Sequence, residues 1–170
     1  MTELNRCPTD PAAKIMTIEQ ALEWRLAIRK QGKRLVVTNG CFDILHRGHA
    51  QYLHESRCVG DAQLVLINSD RSIKELKGPT RPIIDEYNRA YMLGALSSVD
   101  AVVIFDDQIC APELKAISPD IYVKGGDYYI EKLNSTERAV LLECKVEFHF
   151  IPFIENFSSS NIVERIKTAR

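Results

Sequence analysis

Short apolar runs and amphipathic stretches alternate along the chain. The first amphipathic stretch opens with Thr17 and Gln20 at capping-box spacing, and apolar residues then recur at helical spacing as far as Gly32. A run rich in β-branched residues follows at residues 35–38 and stops at Asn39. The pattern predicts an amphipathic helix followed by a buried first strand.

The same order of elements repeats to the end of the chain. It predicts further strands at residues 64–67, 101–105, 121–123 and 146–151, and helices at residues 48–58, 85–97, 112–117, 135–143 and 159–168. Buried strands separated by helices are typical of βαβ units and of a parallel sheet. We therefore expect an α/β fold: one Rossmann-like domain over residues 17–170, with about five parallel strands and helices on both faces. A polar N-terminal arm, residues 1–16, precedes it.

The charge balance limits the partners. The chain has 22 lysines and arginines against 23 aspartates and glutamates, a net charge of -1. This balance argues against a nucleic-acid-binding protein, which would neutralise many backbone phosphates, but it allows a local basic pocket for one small anion. A chain of 170 residues can bury a core without disulfide or metal cross-links.

The cysteines and the N-terminus indicate a compartment. The five cysteines are scattered and include no Cys-x-x-Cys pair, which favours free thiols over a zinc or disulfide site. No stretch approaches the roughly 18 apolar residues of a membrane span, and the N-terminus lacks the apolar centre of a signal peptide. We expect a cytoplasmic protein that does not associate with a membrane.

Ligands of open parallel sheets bind beyond the carboxyl ends of the strands. The segment after the first predicted strand contains His46 and His49, with Gly48 between them, where a helix begins. At this spacing both imidazoles can face one point and donate hydrogen bonds to a phosphate, which the helix dipole also attracts. The spacing alone also allows two other interpretations: the two residues could be ordinary loop histidines, or they could be a pair of metal ligands.

The wider sequence context carries a family resemblance. The segments Asn39-Gly40-Cys41-Phe42-Asp43 and His46-Arg47-Gly48-His49 resemble the His-x-Gly-His signature of the nucleotidyltransferase superfamily. Further segments follow in order: Asn68-Ser69-Asp70, Leu76-Lys77-Gly78, Arg81-Pro82, Leu93-Gly94-Ala95-Leu96, Val99-Asp100, Lys124-Gly125-Gly126-Asp127-Tyr128 and Ser158-Ser159-Ser160. Together they resemble the adenylyltransferase domain of bacterial D-glycero-D-manno-heptose 1-phosphate adenylyltransferases. That family often joins this domain to a sugar kinase, for which 170 residues leave no room, so we expect a stand-alone version.

The resemblance implies a reaction. A sugar 1-phosphate oxygen would attack the α-phosphorus of ATP in line and expel pyrophosphate, giving ADP-heptose for lipopolysaccharide. Mg²⁺ would arrive with the triphosphate, and the protein would be a homo-oligomer, most simply a dimer. A related transferase that uses CTP, or an acceptor such as a polyol phosphate or flavin mononucleotide, is an alternative. A nucleotide-binding module without turnover is another.

The resemblance also assigns roles to residues. The expected catalytic residues are His46, His49 and Lys77. The residues expected to bind the nucleotide are Asn39, Gly40, Cys41, Phe42, Asp43, His46, His49, Lys124, Gly125, Gly126, Asp127, Ser158, Ser159 and Ser160. The residues expected to bind the acceptor are Asn68, Asp70, Lys77, Arg81, Asp127 and Tyr128. No residue is predicted to bind a metal directly.

Several of these roles have a plainer alternative. A solvated basic loop would account for Lys77 and Arg81, and an ordinary glycine turn for Gly125. Asn39 and Asp43 could serve only to organise the first loop. The serines at residues 158–160 could form a helix cap without a ligand.

Overall fold

The computed structural model describes residues 9–126, 128–152 and 158–169. The strands within these ranges are β1 (Ile15–Met16), β2 (Leu35–Gly40), β3 (Ala62–Asn68), β4 (Ala101–Phe105), β5 (Ile121–Gly125) and β6 (Glu147–Ile151). The α-helices are α1 (Ile18–Lys30), α2 (Arg47–Arg57), α3 (Asp70–Lys77), α4 (Glu86–Gly94), α5 (Ala111–Ile117), α6 (Ser135–Glu143) and α7 (Ser159–Thr168). Short 3₁₀ segments lie at Pro11–Lys14 and Ile130–Lys132.

The described strands form one parallel sheet in the order β1-β4-β3-β2-β5-β6. The predicted parallel α/β architecture is confirmed, with six strands in place of about five. The additional strand is β1, in which Ile15 pairs with Val102 of β4. It lies in the segment predicted as a polar arm, and two residues are too few to produce a recognisable alternation.

The strand order reverses between β2 and β5. From β2, the chain first builds β3 and β4 on one side and later adds β5 and β6 on the other. Val36 and Val37 of β2 pair with Ile121 and Tyr122 of β5, so the carboxyl ends of these two strands lie side by side. A reversal of this kind leaves a crevice at the strand ends, where α/β proteins bind ligands.

Helices cover both faces of the sheet, as predicted. Helices α1, α5 and α6 pack over one face, and α2 and α4 over the other. All seven residues of β3 are buried between these layers. Leu53, completely buried, anchors α2 to the sheet, a burial that stabilises the fold by about 1.5–3 kcal/mol.

Side-chain caps stabilise the starts of α1 and α3. The capping box predicted for α1 is present, with Thr17 and Gln20 bonded reciprocally to each other's backbone N–H groups. Helix α3 was not predicted. Ser69 caps it by accepting a hydrogen bond from the Ser72 N–H, and Gly78, at φ 94°, ends it. Lys77 is therefore the last residue of a helix and does not lie in a loop.

Two further features concern the described residues as a whole. Cys41, Cys58, Cys110 and Cys144 are free thiols, as predicted, and Cys7 lies outside the described residues. None of the helices in the described ranges combines the length and the apolar character that a membrane crossing requires.

Candidate active site

A cleft of about 300 Å³ opens at the carboxyl ends of β2 and β5. Its lining residues are Asn39, Gly40, Cys41, Phe42, His49, Tyr52, Lys77, Lys124, Gly125 and Tyr128. All of them except Tyr52 were predicted as site residues from the sequence. The volume is at the lower end of the range for small-molecule sites.

His46 and His49 lie together at the start of α2. His46 is the N-cap residue of the helix, and its ring stacks on that of His49 with 3.9 Å between centroids and 20° between planes. Burial lowers the pKa of both imidazoles, and repulsion from Lys77 and from His46 in its protonated form helps to bring the pKa of His49 to about 4. Both rings are therefore neutral at neutral pH and can donate an N–H to a phosphate oxygen.

The packing of Phe42 holds the His49 ring in place. The two ring centroids are 5.1 Å apart, and Phe42 takes a left-handed backbone conformation at φ 47° to reach this position. A Cβ atom on Gly40 would lie 3.0 Å from the Phe42 ring, so a larger residue there would require the ring to shift by a few tenths of an ångström. The imidazole is thus oriented before any ligand arrives, which lowers the cost of ordering it.

Lys124 supplies a positive charge from the β5 side of the cleft. Its ammonium Nζ donates to the Asn39 side-chain Oδ1 at 2.6 Å and lies 5.9 Å from the centroid of the Tyr128 ring. Burial lowers the pKa of Lys124, and the Glu137 carboxylate acts against this shift. The ammonium and the paired imidazoles form the kind of site that binds phosphoryl groups.

A glycine follows Lys124 at each of the next two positions, as the sequence predicted. Gly126 has φ 107°, which disfavours any other residue, and its N–H donates to the carbonyl of Ile151 at 2.8 Å. The backbone beyond β5 is therefore fixed close to the cleft. Asp127, predicted to bind both substrates, lies outside the described residues.

Asp43 and Arg81 bond to each other. Arg81 Nη1 donates to Asp43 Oδ2 at 2.6 Å, and the N–H groups of Ile83 and Ile84 donate to Asp43 Oδ1. Burial raises the pKa of Asp43, but these hydrogen bonds outweigh it and lower the pKa below its ordinary value. The structure therefore gives both residues a loop-fastening role, and neither is among the described residues that line the cleft.

Arg89 of α4 is a site-organising residue that the sequence analysis missed. Its guanidinium is fully buried and donates to the backbone carbonyls of Cys41, Asn68 and Ile84 at 2.7–2.9 Å. It also pairs with Asp70 at 2.8 Å. Arg89 thereby holds together the carboxyl ends of β2 and β3 and the start of α4.

Two predicted acceptor-binding residues are engaged within the protein. Asp70 pairs with Arg89, and Asn68 is buried and donates from Nδ2 to the Ser72 hydroxyl at 2.9 Å. Neither is among the described residues that line the cleft. Lys77 and Tyr128 are the predicted acceptor-binding residues that the structure brings into it.

The serine run lies at the start of α7, where the sequence placed it. Ser158 is the N-cap and accepts a hydrogen bond from the Asn161 N–H at 3.1 Å. Ser159 donates to the Ile44 carbonyl at 3.4 Å, and Ser160 is exposed. The helix N-terminus therefore lies against the loop that leads to His46.

We expect replacement of Ser159 and Ser160 together by alanine to raise the KM for the nucleotide and to slow turnover. The melting temperature should change little, because Ser158 provides the cap. Ser158→Ala is the matched control and should destabilise by about 0.5–2 kcal/mol. Unchanged steady-state kinetics in the double variant would remove these two hydroxyls from the site.

We expect the partly buried His49 to make the free energy of unfolding depend on pH. Its pKa is about 4 in the folded protein against 6.5 as its ordinary value, so the unfolded state binds the proton first as the pH falls. The stabilisation is complete above pH 6.5 and is lost between pH 6.5 and 4, by up to about 3 kcal/mol. Urea unfolding of the protein and of His49→Gln across this range measures it. Equal slopes with pH would contradict the burial argument.

Comparison with known proteins identifies relatives over most of the chain. Residues 37–165 match the model of the cytidylyltransferase-like family. The bifunctional protein HldE of Koribacter versatilis (strain Ellin345) is 43% identical over 153 residues, which cover 90% of this chain and 31% of that protein. The bifunctional protein HldE of Geotalea uraniireducens (strain Rf4) is 40% identical over 168 residues, 99% of this chain and 34% of that protein. The chain spans about a third of the length of these relatives.

Two solved structures resemble this chain in fold. The lipopolysaccharide core biosynthesis protein from Thermoplasma volcanium GSS1 superposes with a TM-score of 0.59 at 28% identity, covering 74% of this chain and 100% of that chain. Pantoate-beta-alanine ligase from Francisella tularensis superposes with a TM-score of 0.54 at 14% identity, covering 90% of this chain and 76% of that chain, a likeness of fold alone. The chain belongs to the cytidylyltransferase-like family.

Proposed function

We propose that the protein transfers AMP from ATP to D-glycero-D-manno-heptose 1-phosphate, which yields ADP-heptose and pyrophosphate for lipopolysaccharide or surface-glycan biosynthesis. The observation that carries the proposal is the stacked pair His46 and His49, which lies at a helix start beside the cleft that Lys124 enters. Support for the acceptor comes from 40–45% identity to HldE proteins and from a solved relative named for lipopolysaccharide core biosynthesis.

The proposed reaction makes and breaks one bond at phosphorus. An oxygen of the sugar 1-phosphate bonds to the α-phosphorus of ATP, and the bond from that phosphorus to the bridging α,β-oxygen breaks, so that pyrophosphate leaves with the electron pair. Such a transfer needs alignment and charge neutralisation, and it needs no protein nucleophile. Neutral His46 and His49 would donate hydrogen bonds to phosphoryl oxygens, while Lys124 and Lys77 offset the negative charge.

We propose that the donor enters as its magnesium complex. No group of three or more His, Cys, Asp or Glu side chains suited to a metal ion occurs within the ranges that the structure describes. The available site therefore suits an ion held mainly by triphosphate oxygens and water, as Mg²⁺ commonly is. Mg²⁺ would supply charge neutralisation on the triphosphate.

A coupled pyrophosphate-release assay tests the proposed function. ATP, CTP, GTP and UTP are each paired with heptose 1-phosphate, glycerol 3-phosphate and flavin mononucleotide, with pyrophosphatase added and Mg²⁺ present or chelated. We expect the highest kcat/KM for ATP with heptose 1-phosphate, and no turnover without Mg²⁺. A preference for CTP would assign the protein to cytidylyl transfer, and no turnover with any pair would favour a binding module.

We also propose that the protein is a cytoplasmic homodimer. The family resemblance supports the dimer, and the free thiols of the described cysteines suit a reducing compartment. Exposed apolar side chains on and before α4, including Ile83, Tyr87 and Met92, offer a surface that a second copy would cover. Light scattering after gel filtration measures the mass of the particle, and cell fractionation locates the protein.

A further inference from the structure

A buried polar network connects the cleft with helix α6. The Asn39 side-chain oxygen accepts hydrogen bonds from the Tyr122 hydroxyl at 2.7 Å and from Lys124 Nζ at 2.6 Å. On its other side, the Asn39 amide Nδ2 donates to Glu137 Oε1 at 3.4 Å. A single amide therefore links the ammonium in the cleft to a carboxylate behind it.

Glu137 is buried to a degree that needs explanation. Only 6% of its surface is exposed, and its Oε1 also accepts hydrogen bonds from the Cys110 N–H at 3.0 Å and the Cys110 thiol at 3.2 Å. It lies in the first turn of α6, where the helix dipole favours a carboxylate. A buried carboxylate is costly without a cation, and the cation joined to it by this network is Lys124.

We propose that Glu137 is a positioning residue for nucleotidyl transfer, which holds the Lys124 ammonium against the cleft through Asn39. Glu137 is not among the described residues that line the cleft, so it acts on the substrate through Asn39 and Lys124, which do line it. The inference rests on the proposed transfer at this site. It concerns a residue outside every motif that the sequence analysis singled out.

The electrostatic surroundings of Lys124 support this role. Burial lowers the pKa of Lys124, and the Glu137 carboxylate is the largest influence that raises it. Burial raises the pKa values of Cys110 and Tyr122, so neither carries charge at neutral pH. Among the residues that the structure describes, the titratable groups that face Lys124 or share its cleft are Cys41, His49, Tyr52, Lys77, Cys110, Tyr122, Tyr128 and Glu137.

The pH profile of Glu137→Gln tests the proposal. Glutamine keeps the shape and one acceptor oxygen but removes the charge, so Lys124 should lose its proton at lower pH. In the pH profile of kcat/KM for ATP, we expect the alkaline limb to shift to lower pH by about one unit. At a given pH on that limb, kcat/KM then falls about tenfold. The loss near neutral pH should be smaller. Glu137→Asp, which retains the charge, should keep the limb in place.

Asp120→Asn is the matched control. Asp120 is an acidic residue paired with buried Arg25 at 2.8 Å, and it is not among the described residues that line the cleft. Its replacement should lower the melting temperature while leaving the alkaline limb where it is. A limb that stays in place in Glu137→Gln, with activity lowered equally at all pH values, would reduce Glu137 to a structural role and overturn the proposal.

A double-variant cycle with Lys124→Met gives a second readout. Lys124→Met leaves the Glu137 carboxylate buried without its cation, so adding Glu137→Gln should raise the melting temperature by a few degrees and change residual kcat/KM less than about twofold. Independent, additive effects would overturn the proposal. The melting temperatures need no turnover, so they test the pairing even if the wild-type protein fails to transfer AMP. Failure of the proposed function would therefore be told apart from failure of this inference.

Discussion

His46→Ala and His49→Ala should each lower turnover at saturating substrates by at least about a hundredfold, because each removes a preorganised donor from the phosphoryl group being transferred. The rings are stacked 3.9 Å apart at the start of α2, so either loss also leaves the remaining ring without its neighbour. The fold should survive, because a residue at a loop and helix start leaves little core cavity. Measuring kcat and the melting temperature of each variant checks both statements.

His149→Ala is the control for the histidine variants. His149 lies on β6, is paired with Glu147 at 2.6 Å, and is not among the described residues that line the cleft. Its removal should change turnover less than about twofold, as for a surface substitution away from the site. Near-normal turnover in His46→Ala or His49→Ala would place the phosphate site elsewhere in the protein.

Arg89→Met should lower the free energy of unfolding by about 3–5 kcal/mol, the largest stability loss that we expect from any substitution near the site. The variant leaves the carbonyls of Cys41, Asn68 and Ile84 without their donor and leaves Asp70 without its cation. Arg89→Lys should recover only part of the loss, because an ammonium cannot reproduce the planar fork of a guanidinium. Urea unfolding at neutral pH measures both variants.

An exposed arginine provides the comparison for Arg89. Arg71 lies on α3 with more than half of its side chain exposed, and its ion pairs with Glu75 and Asp106 are 3.5 Å long. Surface pairs of this kind contribute about 0–1 kcal/mol, so Arg71→Met should be nearly neutral. An Arg89→Met variant as stable as Arg71→Met would mean that the buried guanidinium does not hold the two strand exits together.

The central strands could be predicted because their burial appears directly in the sequence. Residues 64–67 of β3 and the whole of β4 are continuous apolar runs, as expected for strands covered on both faces. β1 could not be predicted, because a strand of two residues gives no pattern. Helix α3 was missed because its eight residues include only two buried positions, Ser72 and Ile73, of which one is polar.

The sequence predicted more of the residues that line the cleft than of the network that supports them. Residues that face a ligand fall in short motifs at the strand ends, and Gly40, His49 and Lys124 were found in this way. Arg89 and Glu137 lie within helices, where a charged residue ordinarily faces solvent. Their burial depends on partners distant in sequence, which a periodic pattern does not reveal.

The pairing of Asp43 with Arg81 could not be predicted for the same reason. The sequence shows two charged residues near strand exits, which is compatible with ligand binding, but their mutual contact spans 38 positions. The fold brings the Arg81 guanidinium to the Asp43 carboxylate, and Lys77 lies among the described residues that line the cleft. The acceptor-binding role predicted for Arg81 remains a prediction that substrate kinetics of Arg81→Met would test.

The fate of the α-phosphorus tests the central claim most directly. The protein is incubated with Mg²⁺, heptose 1-phosphate and ATP labelled either at the α- or at the γ-phosphorus, and the products are separated. Nucleotidyl transfer predicts that the α-label enters a sugar nucleotide and the γ-label enters pyrophosphate, and that both products require the acceptor. An α-label that does not enter the sugar nucleotide, or a γ-label that is transferred to the sugar, would contradict adenylyl transfer at this cleft.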